Sequence, residues 1–545
     1  MWCQIFSDSM FLWLVVSQAI VAKTSSGWTR LLLAFSLAIG AMTSTQNAYG
    51  QDMGVLPSQE VLTPVNEVSP LATKLQDRAS DAPIPTGCDD TAPANNDGAS
   101  QKKDPPKFKS FLFENNFSYL EDPDNEYRYL GDAFKRQRLG DDITYDLGGE
   151  ERLRYHHEST FVRHDDFLLN RTRLFANFQV QDWFRVYTEA IDADEIGNRH
   201  KYRMSEVNRF DALNLFADGK LLTEDQGDLW LRGGRQQMVY GNNRLIGTRD
   251  WYNTGYTYDG AKLFWRGKDW DVDGFWTHPV TLSQHANPDQ TFDAPDGDRE
   301  LAGIYSTYRG IEHQIFDYYY IRYTDCSTSS FQYNTFGFRW KGDMDSWLWE
   351  IESGYQCGST KDTPQSAWFY VLGAGRKFED LPWEPTFWVY YNSFSGDRNP
   401  NDGVSNTFNQ LVSTTVTFLG WAALFGNSNI EDLNFRFSMK PHPKVTVEEG
   451  LHLFYLESAN DALYDSQGNA LRRDPTGAAG NVVGQELDTT VRWSINPRTE
   501  LFAGYCHFFP GHFLAATSGG SASMITSGSG GNAQDFVFTQ FSLKF

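Results

Sequence analysis

The chain has 545 residues, a formal net charge of −23 at pH 7 and an aromatic content of 15%. Its 70 acidic residues against 47 basic ones argue against a nucleic-acid-binding protein, which normally carries a basic excess. No stretch beyond residue 45 approaches the run of about 18 apolar residues that a membrane-spanning helix needs. A mean hydropathy of −0.50 alongside 40 Phe, 26 Tyr and 17 Trp is typical of alternating polar and apolar residues, as in transmembrane β-barrels.

Residues 1–50 have the features of an export signal. Two short apolar stretches, 11–22 and 31–41, are separated by basic residues, and small residues precede Gln51. Each stretch is too short to span a bilayer comfortably. The sequence therefore predicts a signal peptide over 1–50, with an uncleaved anchor as the alternative.

Residues 51–107 carry eight of the 21 prolines together with many small and polar residues. Such a segment cannot bury enough apolar surface to offset its ordering entropy. We therefore expect a disordered, Pro-rich periplasmic leader over 51–107, followed by a pre-barrel segment over 108–142.

From residue 143 onward the sequence alternates with a period of two. Within 167–181, Leu168, Leu174 and Phe178 share one face, whereas Arg171 and Arg173 share the other. Segments around 184–190, 434–440 and 487–495 repeat the pattern. Runs of about 9–14 residues suit strands that cross a membrane at a tilt.

The connections between these runs alternate between short and long. Short links near 181–182, 267–268, 310–311, 343–344, 441–442 and 497–498 alternate with long ones near 239–256, 282–298, 397–428, 457–483 and 509–533. About 17 strands are clear, and an even number requires one more strand in the 196–226 region. The prediction is an all-β fold: a transmembrane antiparallel β-barrel of about 18 strands over 143–545, in the outer membrane of a Gram-negative-type envelope.

The final strand supplies an independent signal. Val537, Thr539, Phe541, Leu543 and the terminal Phe545 alternate with more polar residues. A last strand ending in phenylalanine resembles the tail by which outer-membrane barrels are recognised by the barrel assembly machinery. That machinery and outer-membrane lipid are therefore expected partners.

Several segments resemble the alginate export family. The central motif is residues 234–251 followed by 256–261, and residues 147–154 and 504–514 resemble the first and penultimate strands of the family. Residues 111–120 resemble a segment that precedes the barrel in some members. The likeness spans roughly 108–545.

The resemblance implies an outer-membrane β-barrel of about 18 strands with an arginine-rich lumen that passes a polyanionic polysaccharide. One departure is the run Val412-Ser413-Thr414-Thr415, where the family pattern would have an aromatic, Pro-containing continuation.

A channel for a carboxylated polymer needs fixed cations, and arginine suits carboxylates because its planar fork binds them bidentately. The alternative for each arginine is that it neutralises wall carboxylates. The expected substrate-pathway residues are Arg152, Arg154, Arg171, Arg173, Arg185, Arg235, Arg244, Arg249, Arg266, Arg339, Arg436 and Arg492. Around Arg235 the strand phase is ambiguous, because Trp230 and Arg232 compete with Leu231 and Arg235 for the inward face.

Catalytic, metal and cofactor sites are not predicted. The histidines His156, His157, His507 and His512 are better explained as hydrogen-bonding rim residues than as metal ligands. Paired carboxylates of the glycosidase type arise by chance in any acidic barrel. The compartment would permit a disulfide between Cys326 and Cys357, and the sequence leaves that pairing open.

The sequence therefore predicts a non-enzymatic outer-membrane channel for an anionic, alginate-like polysaccharide, working in secretion. The alternatives are a porin for uptake of small anionic sugars or oligosaccharides and, with less support, an outer-membrane enzyme or adhesin. A periplasmic secretion scaffold is a further expected partner, through the 51–107 leader.

Overall fold

The computed structural model describes residues 108–545, apart from 126, 161–162, 198, 200–202, 204, 283–291, 328–329, 414–417, 467 and 518–532. The predicted signal peptide and leader lie outside the described residues. Eighteen long strands form one antiparallel sheet. In chain order they are β1 (Ile143–Ser159), β2 (His164–Val180), β3 (Phe184–Ile196), β4 (Asn208–Glu224), β5 (Gly227–Gln236), β6 (Tyr258–Gly267), β7 (Trp270–Thr281), β8 (Arg299–Tyr308), β9 (Gln314–Asp325), β10 (Phe331–Met344), β11 (Trp347–Thr360), β12 (Thr363–Lys377), β13 (Thr386–Phe394), β14 (Ile430–His442), β15 (Val445–Tyr455), β16 (Val482–Asn496), β17 (Thr499–Pro510) and β18 (Gln534–Lys544).

The sheet closes on itself, because β1 pairs with both β2 and β18. Glu150 on β1 lies opposite Lys544 on β18, and the ladder continues from there to Ser159. Beyond the ladder, the backbone N–H of Gly149 donates to the carbonyl of Phe545 at 2.8 Å. The predicted antiparallel barrel of about 18 strands is confirmed, and closure pairs each of its 18 strands on both sides.

The two ends of the barrel differ. One end of the barrel holds the start of β1 and the end of β18, and we name it the terminal rim. Every connection at the terminal rim has eight residues or fewer, the longest being 378–385. All the predicted long connections lie at the opposite end, the loop rim, which also has the short connections 160–163, 326–330 and 361–362. The strand inferred by parity is β4, which contains the expected segment around Leu213.

Each strand has one face toward the membrane and one toward the lumen. Leu153, Tyr155 and Leu174 are 39%, 42% and 53% exposed, whereas their neighbours Arg154 and Arg173 are 1% exposed. Because side chains alternate along a strand, the exposed apolar rows form the outer surface and the arginine rows line the interior. The phase predicted for β1 and β2 is confirmed.

Shorter elements accompany the barrel. They are the 3-10 turns Leu112–Glu114, Ser118–Glu121 and Asp132–Phe134, the short strands Gln137–Leu139, Ala294–Pro295, Ala462–Tyr464 and Ala470–Arg473, and the helix α1 (His512–Ala516). Among the described residues, no helix combines the length and apolar character needed to cross a membrane.

The pre-barrel segment packs into the lumen at the terminal rim. Phe113 contacts the rings of Tyr187 and Phe216 at centroid distances of 5.8 and 5.5 Å, and Phe117 stacks on Phe175 at 6.5 Å. The segment therefore covers part of this end of the lumen.

Cys326 and Cys357 are not bonded to each other. Cys326 is an exposed free cysteine in the connection after β9, whereas Cys357 lies on β11. Strand β10 separates them, and two strand spacings of about 4.8 Å exceed the Cα separation of about 7 Å that a disulfide tolerates.

Aromatic rings pack over glycines on neighbouring strands of the barrel wall. A larger residue at such a glycine would clash with the ring and destabilise the barrel. Gly337 on β10 is directly opposite Tyr319 on β9, and a Cβ at Gly337 would lie 2.2 Å from the tyrosine ring. The ring cannot easily move, because its hydroxyl donates to Glu352 at 2.9 Å. We expect Gly337→Ala to lower the free energy of unfolding by about 1–3 kcal/mol, as overpacking does.

Denaturant titration of the detergent-folded barrel, followed by tryptophan fluorescence, measures this change. The matched control is Gly233→Ala on β5, where an added Cβ has no neighbour within 4 Å. Equal stability of the two variants would contradict the packing account.

Candidate functional site

Four lumenal arginines form a cluster on two adjacent strands. Arg152 and Arg154 on β1 and Arg171 and Arg173 on β2 are all at most 4% exposed. Arg152 lies directly opposite Arg171 in the strand register. Like charges at directly opposite positions destabilise a strand pair. This arginine cluster therefore requires compensating groups from elsewhere in the molecule.

The connection 237–257 supplies those groups by folding into the lumen, and we name it the inner loop. The carbonyl of Asp250 accepts hydrogen bonds from Arg152 at 2.6 Å and from Arg171 at 3.0 Å. Arg154 donates to the carbonyl of Trp251 and lies over its ring, 3.6 Å from the centroid. Oriented carbonyl dipoles and an aromatic face thus offset part of the cationic charge.

Three carboxylates complete the cluster. Arg171 pairs with Glu150 and with Asp250, the latter at 3.0 Å, and Arg173 pairs with Glu189 at 2.5 Å and Asp250 at 3.3 Å. Asp250 has a side chain 38% exposed, against 4% and 0% for Glu150 and Glu189. Burial opposes ionisation of Asp250, but Arg171 and Arg173 hold the pKa of its carboxyl well below the usual range.

The inner loop is also bound to the opposite part of the wall. Arg244 of the loop donates to Glu352 on β11 at 2.7 Å. Arg339 on β10 donates to Glu350 at 3.1 Å and to the side-chain oxygen of Asn242 in the loop at 2.8 Å. Residues 250–252 of the inner loop contact β1–β2 and residues 242–244 contact β10–β11, so the loop crosses the lumen and narrows it.

The connection 395–429, the second inner loop, lies against the first. Val412 forms a parallel bridge with Ile246, and its amide donates to the carbonyl of Leu245 at 3.1 Å. Trp421 packs edge-on to Trp251 at 5.4 Å. Val412, the first residue of the run that departs from the family pattern, therefore forms a contact between the two loops. Thr414 and Thr415 of that run lie outside the described residues.

The other predicted arginines are held individually. Arg185, Arg266 and Arg492 lie within ion-pair distance of Asp218, Asp273 and Glu500, respectively. Arg249 lies over the Tyr256 ring at 4.2 Å. Arg436 donates to the Asn434 side chain at 3.0 Å and to the carbonyl of Phe418 in the second inner loop at 3.2 Å.

Arg235 is placed away from the lumen. It shares the face of Leu231 and lies opposite Leu215, which are 43% and 53% exposed on the outer surface, and it pairs with Asp259 at 2.8 Å. A register shift between Lys220 and Leu222 accompanies this strand pair. The prediction of a lumenal Arg235 is therefore corrected.

Arg232 takes the inward position instead. It pairs with Asp218 at 2.6 Å and lies 3.7 Å above the Phe216 ring. The sequence pointed to Arg232 through the alternative strand phase, in which Trp230 and Arg232 face inward. Phe113, which packs against this row, had no such signal, because its position depends on how the pre-barrel segment folds back.

The alginate export family model matches residues 144–527. A search of curated proteins gives no match. Among solved structures, Pseudomonas aeruginosa OccD3 (OpdP) is 9% identical with a TM-score of 0.48 over 74% of this chain and 91% of its own. Acinetobacter baumannii OccAB2 is 11% identical with a TM-score of 0.49 over 74% and 98%.

The family match covers more than two thirds of the chain and includes the arginine cluster, both inner loops and all but the last strand. It agrees with the sequence motifs around the inner loop. This chain belongs to the alginate export family.

Proposed function

We propose that this outer-membrane channel passes an anionic, alginate-like polysaccharide from the periplasm to the exterior through its arginine-lined lumen. The supporting observation is a set of arginines beside the two inner loops that no carboxylate among the described residues neutralises. Within the described part of the chain, Arg152, Arg154 and Arg436 have no carboxylate oxygen within 4.0 Å. Their charge is offset by carbonyls and rings, which carry no net charge.

These arginines act through their field. They are held in the wall, so they do not need to follow the polymer, and a lumen with low-dielectric walls focuses the field on mobile anions. The neighbouring carboxylates weaken the binding of the polymer, since conduction requires sites that release an ion as well as attract it.

Asp250 belongs to this balance. It is the most exposed of the three carboxylates in the arginine cluster, and it lies on the inner loop instead of the wall. When a polymer carboxylate approaches the cluster, Arg171 and Arg173 are already ion-paired with Asp250. Passage therefore exchanges one carboxylate for another and avoids leaving buried guanidinium groups without partners.

A porin for small anionic sugars is the second candidate. The observation in its favour is that both inner loops occupy the lumen and contact each other at Val412 and Ile246. A linear polymer needs a path that is open past both loops at the same time, whereas a small sugar can pass them one after the other. The two candidates differ in whether the loops move during passage.

The first prediction concerns the uncompensated charge. Arg152→Gln removes one positive charge and keeps a polar amide, and its shorter side chain gives up the hydrogen bonds that Arg152 donates to the carbonyls of Asp250 and Tyr252. We expect the anion-to-cation permeability ratio in planar bilayers to fall roughly fivefold, which corresponds to about 1 kcal/mol of lost electrostatic attraction. The matched control is Arg235→Gln on the outer row, which should leave the ratio unchanged. Equal effects of the two variants would argue against a lumenal field.

The second prediction has the opposite sign. Asp250→Asn removes the exposed negative charge of the cluster while conserving size. The permeability ratio should rise by about fivefold on the same electrostatic scale. Asp345→Asn, in the turn 345–346 at the terminal rim, removes the same charge elsewhere and serves as the control. A fall in the ratio for Asp250→Asn would contradict the proposed charge balance.

A further inference from the structure

A second group of polar side chains lies on the lumenal face of β14 to β17, away from the arginine cluster. It comprises Asp432, His452, Glu486, Asp488 and Cys506, and each is at most 3% exposed. The strand register brings them together, because His452 lies directly opposite Glu486 and Asp488 directly opposite Cys506. We name these residues the β14–β17 cluster.

The charge of this cluster is not balanced by basic side chains. Three buried carboxylates lie in it, and among the described residues the one ion-pair partner within 4.0 Å is His452. Buried carboxylates are costly unless a proton, a cation or hydrogen-bond donors compensate them. The cluster therefore needs a compensating positive charge.

Backbone donors satisfy only one oxygen of each carboxylate on β16. The amide of Ala422 donates to Glu486 Oε1 at 2.8 Å, and the amide of Trp421 donates to Asp488 Oδ2 at 3.1 Å. Glu486 Oε2 and Asp488 Oδ1 are buried and accept no hydrogen bond from the described residues. Besides the loop amides, the carboxylates of Glu486 and Asp488 have, within the described part of the chain, only each other and the weak thiol donor of Cys506 beside them.

His452 is oriented as metal-binding histidines are. Its Nδ1 lies 3.1 Å from both oxygens of Asp432, which is also held by Asn392 at 3.0 Å and Asn434 at 2.6 Å. This contact places a proton on Nδ1, so the neutral ring carries its lone pair on Nε2. Nε2 lies 3.9 Å from Asp488 Oδ2. A carboxylate that orients a histidine in this way is the usual outer partner of a metal ligand.

We propose that the β14–β17 cluster is a divalent metal site of the zinc class, with Glu486, Asp488, Cys506 and His452 as ligands. Ligand atoms of Glu486, Asp488 and Cys506 lie within 4.8 Å of one another. A tetrahedral zinc site needs ligand separations of about 3.3–3.8 Å. His452 Nε2 lies outside the group of three, 3.9 Å from Asp488 Oδ2, so the fourth ligand has to move toward the others when the metal binds. A mixed sulfur, nitrogen and oxygen set favours zinc over calcium or magnesium.

The metal would neutralise the carboxylates and fix the second inner loop. Glu486 and Asp488 each hold a backbone amide of that loop with one oxygen and offer the other to the ion. Zinc binding displaces the thiol proton of Cys506 to solvent as the thiolate coordinates. The site would therefore tie the position of Trp421 and Ala422 to metal occupancy.

The test uses the full chain, folded in detergent, stripped with a chelator and then titrated with Zn²⁺. We expect one zinc per chain by mass spectrometry of the metal. Cys506→Ser and His452→Gln should each weaken binding at least tenfold, a typical loss when a site is disturbed. Cys326→Ser, which removes the exposed cysteine, should bind as the unmodified chain does. Heat-modifiable gel migration verifies that each variant is folded.

Cobalt substitution gives a second measurement that needs no variant. Co²⁺ bound to the unmodified chain should show a thiolate-to-cobalt charge-transfer band, which should be absent from Cys506→Ser. Failure of the folded, unmodified chain to bind stoichiometric zinc would overturn the proposal and leave Glu486 and Asp488 sharing a proton. Stoichiometric binding without the thiolate band would overturn the assignment of Cys506.

Discussion

The position of Arg152 opposite Arg171 is the constraint on which the lumen depends. Two guanidinium groups on adjacent strands repel, and the barrel wall alone does not neutralise them. The inner loop resolves this by bringing the Asp250 carbonyl to both groups and the Asp250 carboxylate to Arg171. The same arginines that give the lumen its positive charge therefore also hold the loop that narrows it. Under the proposed function, selectivity and constriction would both follow from one set of contacts.

Much of the wall was predictable because strand geometry is local. Side chains alternate strictly, so the spacing of Arg152, Arg154, Arg171 and Arg173 against Leu153 and Leu174 decides which row faces inward. Parity then required the additional strand that the structure shows as β4. Arg235 was the difficult case, since only the pairing of β5 with its neighbours decides between that row and the row of Arg232.

The contents of the lumen could not be predicted in the same way. Arg152 and Tyr252 are 100 positions apart in the sequence, and their contact exists only because a loop turns inward. The β14–β17 cluster likewise combines residues from several strands with no recognisable ligand spacing. Only the register of those strands places Asp488 opposite Cys506 and His452 opposite Glu486. Such contacts require the three-dimensional structure.

A lumen whose arginines select an acidic polysaccharide must distinguish charged from neutral oligomers of the same size. Single-channel current through the refolded chain, recorded with an oligomannuronate and then with a neutral oligosaccharide of equal length, tests it most directly. We expect an anion-selective current that the acidic oligomer blocks and the neutral one leaves unchanged. A cation-selective current, or equal block by both oligomers, would contradict it.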